Sequence, residues 1–300
     1  MEPIDTHLEY IVDNPRFKTE RPFAVHVGDH QLDKYQAEDP QLNTIDLKEE
    51  PTKIYDLRSL DDVSLERYGF ETHSREFTPF SIDHATEDQV EIYQTETEEF
   101  LKEALSAEKV VCYDYRLRRN GPSFVPGSKL NMNDPLLLDL PPRGAHIGSD
   151  LDITYDSGPQ LIKTVLGATN QLQYLNSKYR IRIVNTWRPL VDKLDDQPLA
   201  VCDFRTLKLD NMIAADRIYV SLRTQVYYLK YDPAQRWYWF SHQTPKETMV
   251  MLMYDTKPRP GHANFCPHVS FHNPKAAKDA PPRESVETRN IVITQASESD

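Results

Sequence analysis

The chain has 300 residues, with 47 Asp and Glu against 35 Lys and Arg and a formal charge of −12. That balance argues against nucleic acid or an anionic membrane as a partner, since both need clustered basic residues that displace counterions. The length supports one large all-β or α/β domain, or two small ones, around a sizeable buried core. Cys112, Cys202 and Cys266 are too few and too widely spaced for a disulfide framework or a zinc ribbon, and they read as reduced core thiols. The N-terminus carries acidic residues where a signal peptide needs a basic segment and an apolar run, and no stretch approaches a membrane span, so a cytosolic location is expected.

In chain order, residues 1–60 mix Pro, Asp, Glu and Gln with brief apolar runs such as Phe23-Ala24-Val25-His26-Val27. These read as short strands and loops packed along a larger body. Residues 95–107 place Phe100, Leu101 and Leu105 on one face with carboxylates in the first turns, which predicts an amphipathic helix. Val110-Val111-Cys112-Tyr113 reads as a buried strand. Residues 120–145 are rich in Pro and Gly, and a long loop is expected there, directly before His146. Residues 160–174 return to helical spacing. After that strands dominate: 179–187 alternates with period two, and 217–222, 224–230, 236–240, 248–253 and 288–294 follow it. Short strands bounded by Asp-Pro, Thr-Pro and Pro-Arg-Pro turns predict a sandwich or jelly roll with flanking helices. The acidic end, Ser297-Glu298-Ser299-Asp300, reads as a frayed tail.

One constellation carries chemistry. His146 opens His146-Ile147-Gly148-Ser149-Asp150, His268 follows in Cys266-Pro267-His268, and Arg283-Glu284-Ser285 comes fifteen residues later. Two histidines, a nearby carboxylate and a late Arg-x-Ser are the parts of a non-haem iron and 2-oxoglutarate site. A facial triad normally draws its first His and its carboxylate from His-x-Asp or His-x-Glu, and here the third residue is Gly148, which has no ligand atom. Pro267 and the alternation of Val269 with Phe271 predict a strand presenting His268 and Ser270 on one face. His262 and His272 are rival ligands that read as loop residues. Trp187, Trp237 and Trp239 read as core anchors, and Arg188 with Asp203 as an ion pair beneath the site.

Several blocks then line up. Asn185-Thr186-Trp187-Arg188-Pro189-Leu190, Gln197-Pro198-Leu199-Ala200-Val201-Cys202-Asp203, Arg236-Trp237-Tyr238-Trp239-Phe240, Tyr254-Asp255-Thr256, Cys266 to Phe271 and Pro282 to Arg289 stand in one order, preceded by Tyr55-Asp56-Leu57-Arg58 and Tyr68-Gly69-Phe70. In these blocks the chain resembles the fungal and bacterial hydroxylase/desaturase family of natural-product tailoring enzymes over nearly its whole length. The resemblance implies a mainly β, cupin-like double-stranded β-helix, a jelly roll of one domain over 1–300. In it residues 1–120 form an N-terminal extension packed on the core, 121–295 the body and 296–300 the tail.

It further implies Fe(II) and 2-oxoglutarate as cofactors and O2-driven hydroxylation or desaturation of a small secondary metabolite. By position His146 and His268 match the metal histidines, and Arg283 with Ser285 the pair for the distal carboxylate of 2-oxoglutarate, a task suited to a guanidinium fork. The family has Asp where this chain has Gly148, so three accounts stay open. Asp150 reaches the iron in an unusual His-x-x-x-Asp spacing, which Gly148 eases; a halide fills the open position; or the iron is retired. In the last case the fold serves a redox-neutral reaction, such as a cyclisation, dehydration or isomerisation, or acts as a non-catalytic partner in a hetero-oligomer with a paralogue. The acids and bases of that account are His146, Asp150, Asp203, Asp255 and His268. A small metabolite is the expected partner throughout, with a homo-oligomer or a hetero-oligomer with a paralogue left open.

Overall fold

The computed structural model describes residues 2–25, 43–121, 136, 138–139, 144–148, 158–218 and 223–297. Among them the chain forms fifteen strands in two sheets: β1 (Ile4–Ile11), β2 (Phe23–Val25), β3 (Leu47–Asp56), β4 (Phe70–Ser74), β5 (Lys109–Arg119), β6 (Leu138–Asp139), β7 (His146–Ile147), β8 (Tyr179–Pro189), β9 (Leu199–Cys202), β10 (Met212–Ile218), β11 (Arg223–Leu229), β12 (Trp237–Trp239), β13 (Glu247–Asp255), β14 (His268–Ser270) and β15 (Glu284–Gln295). One sheet runs β1-β3-β12-β9-β14-β7-β11-β10-β2 and the other β4-β13-β8-β15-β5-β6. The nine-stranded sheet curls back on itself. Its edge strand β1 reaches the segment before β7, where the Ala145 amide donates to the Glu9 carbonyl at 2.7 Å, and the Thr6 hydroxyl donates to the carbonyl of His272 at 2.7 Å. Two sheets face to face, one curled, make the expected jelly roll.

Period-two alternation decides what each sheet buries. On β8, Ile181, Ile183 and Trp187 face the other sheet; on β15, Ile291 and Ile293 do the same, and they meet Leu199, Val201 and Tyr238 of the curled sheet in one core. The opposite face of β8, β13 and β15 buries Val184, Val250, Leu252 and Val292 under Phe100 and Leu101 of helix α1 (Glu87–Ala104). Helix α2 (Gly158–Tyr174), broken at Gly167, packs Ile162, Leu166 and Tyr174 against the inner core. Trp187, Trp237 and Trp239 are all buried and serve as the core anchors their patterns predict.

Several boundaries move from the sequence reading, each for a physical reason. The helix expected over 95–107 begins at Glu87, because Thr86 and Gln89 close a capping box that fixes its first turn. The strand expected over 217–222 runs over Met212–Ile218, where it pairs with β11 from Met212 to Ile218; residues 219–222 lie outside the described residues, as does most of the loop expected over 120–145. The ion pair of Arg188 with Asp203 does not form. Arg188 lies under α1, donating to the Tyr93 hydroxyl at 3.0 Å and to the Pro245 carbonyl at 2.9 Å, whereas Asp203 is held by Arg205 at 2.7 Å. Replacing Thr86 by Ala should cost about 1 kcal/mol, seen as a thermal midpoint lower by about 2–4 °C in circular dichroism.

The three thiols are free, and burial pushes each upward in pKa, Cys112 to about 12. A thiol four units above pH 8 holds on the order of one part in ten thousand thiolate, the reactive form. Thiol titration of the native protein at pH 8 should therefore count less than one fast-reacting cysteine, rising to all three in guanidinium. Among the described residues no helix is long and apolar enough to cross a membrane.

Candidate active site

The site grows from the middle of the curled sheet, where β7 and β14 are neighbours and His146 stands directly opposite His268 in the antiparallel register. Side chains opposite each other on one face touch, and the two imidazoles lie with ring centroids 4.7 Å apart. On the other side of β14, His268 is paired with Val201, an inner-core residue, so both rings belong to the face turned toward the second sheet. Both histidines are buried.

Each ring is oriented by its own backbone. His146 Nδ1 lies 2.8 Å from the Gly144 carbonyl and His268 Nδ1 lies 3.0 Å from the Cys266 carbonyl. A carbonyl only accepts, so in both rings Nδ1 carries the proton and the lone pair sits on Nε2, the tautomer a metal ligand needs. Burial lowers the pKa of His268, with Arg118 and Arg289 adding to the effect of desolvation, and this holds the ring neutral. Gly144 has φ +80°, and a Cβ there would stand 2.9 Å from the Tyr228 ring, so only glycine turns this carbonyl back onto His146. These features fit a divalent metal. Among the described residues no cluster of three or more His, Cys, Asp or Glu side chains is assembled for an ion; the pair His146 and His268 is there, and Asp150 lies outside the described residues.

Gly148 follows the histidine strand at φ +89°. That left-handed backbone suits glycine best, with Asn and Asp the side chains that tolerate it most often.

Arg283 precedes β15 and crosses to the other sheet. Its Nε donates to Ser285 Oγ at 3.1 Å, and its Nη1 donates to the Gln197 carbonyl at 3.1 Å and to the hydroxyl of Ser270. Ser270 is two residues beyond His268, so one face of β14 carries both the metal-type histidine and the seat of the guanidinium. The guanidinium also lies 5.2 Å above the Trp187 ring. Arg283 is 1% exposed, yet among the described residues no carboxylate forms an ion pair with it: Glu284 is taken by Arg119, and Asp196 accepts from the Arg283 backbone amide rather than its head group. Burial, with the charge of Arg118 nearby, pulls this guanidinium down to about 9. A buried cation served only by neutral oxygens is costly until an anion arrives.

The remaining candidates fall elsewhere. Asp255 is bound by Arg180, which also reaches Glu66, and Asp203 caps the turn Phe204–Thr206 while pairing with Arg205. Neither carboxylate is available as an acid or base beside the histidines. His262 faces Glu66 at 3.3 Å, and His272 is exposed, so neither rival joins the site. Spacing did not single out Glu287 and Arg289. Both act electrostatically on His268, and Glu287 accepts from Asn185 Nδ2 at 2.8 Å. Their signal was the alternation Ser285, Glu287, Arg289 on one face of a strand read only from residue 288 onward.

Comparison with known proteins finds relatives over nearly the whole chain. Hydroxylase/desaturase efuI of Hormonema carpetanum is 26% identical over 96% of this chain and 99% of its own length. Fe(II)/2-oxoglutarate-dependent dioxygenase nvfI of Aspergillus novofumigatus is 28% identical over 78% of this chain and 79% of its own. Among solved structures, the iron and alpha-ketoglutarate-dependent endoperoxidase NvfI superposes with a TM-score of 0.78 at 21% identity, over 98% of this chain and 99% of that one, which shows the shared fold. The oxidoreductase/YMDC permease-like domain family matches residues 9–293, nearly the full chain, and the protein belongs to that family.

Proposed function

We propose that this chain is an Fe(II)/2-oxoglutarate-dependent oxygenase that hydroxylates, desaturates or otherwise oxidises a small secondary metabolite. The observation that carries the reading is Arg283: a fully buried guanidinium, held by Ser285, Ser270 and the Gln197 carbonyl with no carboxylate in an ion pair among the described residues, and seated through Ser270 on the strand face that carries His268. That arrangement awaits an anion beside a pair of imidazoles. In this reading His146 and His268 hold the iron through Nε2. Asp150 would supply the third ligand in place of position 148, where Gly148 has no ligand atom. Arg283 and Ser285 take the distal carboxylate of 2-oxoglutarate.

Bound iron and 2-oxoglutarate supply the two-electron oxidising power of O2, with succinate and CO2 leaving as products. The chain's own residues do the rest. The carbonyls of Gly144 and Cys266 hold the imidazole protons at Nδ1. Trp187 and the inner apolar core exclude water around the guanidinium, which strengthens its hold on a carboxylate. We place this activity in one jelly-roll unit with 121–295 as its body and 1–120 packed on it, acting in the cytosol on a small metabolite.

The test is metal content together with succinate release in the presence of 2-oxoglutarate and O2. One Fe(II) per chain with 2-oxoglutarate turnover is expected. Full activity on a substrate in excess chelator would sink the reading.

A further inference from the structure

We propose that Asn185 and Tyr113 form a hydroxyl-recognition subsite, in which a hydroxyl of the organic substrate donates to Asn185 Oδ1 and accepts from the Tyr113 phenol. The inference deepens the oxygenase reading and rests on it for the identity of the ligand as substrate.

Both residues sit on the inner side of the six-stranded sheet, next to the groups around His268. Asn185 is opposite Arg289 in the pairing of β8 with β15, two residues from Trp187, on which Arg283 rests. Tyr113 is the extra residue of a bulge: Asn290 is paired with Cys112 and Arg289 with Asp114, which leaves Tyr113 without a partner position. A bulge re-aims the side chain it carries, and here it packs the Tyr113 ring against the inner core. Glu287 and Arg289 act electrostatically on both Tyr113 and His268, and Glu287 accepts from Asn185, so one acidic and one basic residue join the three.

Among the described residues, Asn185 Oδ1 and the Tyr113 hydroxyl are buried with no hydrogen-bond partner, and Asn185 as a whole is 0% exposed. Buried polar groups are nearly always satisfied, and a pair left open beside a candidate active site points to a ligand that completes them. Their chemistry selects it. The Asn185 amide cannot flip, because Nδ2 is committed to the Glu287 carboxylate at 2.8 Å. The atom it offers is therefore an acceptor, with a carboxylate behind it. Neither carboxylate of 2-oxoglutarate has a proton to give to that oxygen. A hydroxyl both donates to Oδ1 and accepts from the phenol, which no ether, ketone or carboxylate does.

The test compares 2-naphthol with 2-methoxynaphthalene, a probe of similar shape that has lost only the donor, by isothermal titration against the full chain loaded with 2-oxoglutarate and Fe(II) under nitrogen. The wild type should prefer 2-naphthol by on the order of 10-fold or more. In Tyr113→Phe and in Asn185→Leu that ratio should fall toward 1. Tyr113→Phe removes an atom that bonds nothing among the described residues, so its thermal midpoint without probe should not drop, which separates recognition from folding. Affinity for 2-oxoglutarate should be unchanged in Tyr113→Phe. Equal binding of the two probes to wild type, no binding of 2-naphthol, an undiminished preference in Tyr113→Phe, or a parallel loss of 2-oxoglutarate affinity would each overturn the proposal. If the chain takes up neither iron nor 2-oxoglutarate, the oxygenase reading fails instead, and the preference for 2-naphthol, measured on the metal-free chain, still reports on the subsite.

Discussion

His268→Ala should lose iron and 2-oxoglutarate turnover together while the chain still folds. Structural zinc sites invest about 10–16 kcal/mol across four ligands, and on that scale one imidazole carries roughly 3–4 kcal/mol, about several hundredfold in affinity. The structure says why no neighbour substitutes. His272 is exposed on the next turn of chain, His262 is held by Glu66, and Glu287 is engaged by Asn185. The fold should survive because among the described residues the His268 ring makes a single hydrogen bond, to the Cys266 carbonyl, and the strand pairing on either side of it, to Val201 and to His146, is made by backbone. Metal analysis after dialysis against Fe(II) should fall from one ion per chain to well below one tenth, with the circular dichroism spectrum retained. A folded His268→Ala protein that keeps one iron at unchanged affinity would show that the histidine pair is not a metal site. His146→Ala should behave alike, since the two rings meet at 4.7 Å.

How much of this was legible in the sequence differs between strands and site. The strands of the second half announced themselves by alternation, because each has one face on the inner core and the other under α1, as Ile181 and Ile183 against Val184 show on β8. Glu284 to Glu287 were missed as strand because charged residues there alternate with Ser and Val; they are stable in the sheet because Arg119 takes Glu284 and Asn185 takes Glu287. Pairing over sequence separations of about a hundred residues is invisible to a local pattern. The histidines and Arg283 were readable as residue types in order. What spacing did not reveal is that Ser270, two residues from His268, is the hydroxyl that seats Arg283, nor that Gln197 lends its carbonyl from a left-handed turn with φ +43°. The capping box at Thr86 was on the page as Thr-x-x-Gln, and only its distance from the apolar stripe hid it.

Arg283 yields the second large effect, and its sign differs between the free and the loaded protein. Replacing it with Met removes the guanidinium from a carboxylate that would otherwise be paired in a dry site, a change worth about 2–5 kcal/mol, or roughly 30- to several-thousandfold in 2-oxoglutarate affinity. Arg283→Lys keeps the charge but not the fork. A point ammonium cannot serve Ser285, Ser270, the Gln197 carbonyl and a carboxylate at once, so it should recover only part of the loss. In the free protein the balance runs the other way. Among the described residues no carboxylate forms an ion pair with the buried cation, and the charges of Glu287 and Asp196 offset only part of its desolvation, while Met fills a similar volume over Trp187 and leaves two hydroxyls that can rotate to other acceptors. The thermal midpoint of Arg283→Met without ligand should therefore lie no more than about 4 °C below wild type. The stabilisation that 2-oxoglutarate confers on wild type, RT ln(1 + [L]/Kd) and so about 2.7 kcal/mol at a hundredfold excess over Kd, should vanish. Calorimetric scans of both proteins, with and without 2-oxoglutarate, measure all four quantities. A variant that stays stabilised by 2-oxoglutarate would move the carboxylate site away from Arg283, and one that collapses without ligand would make this arginine a structural strut between the two sheets rather than a waiting cation.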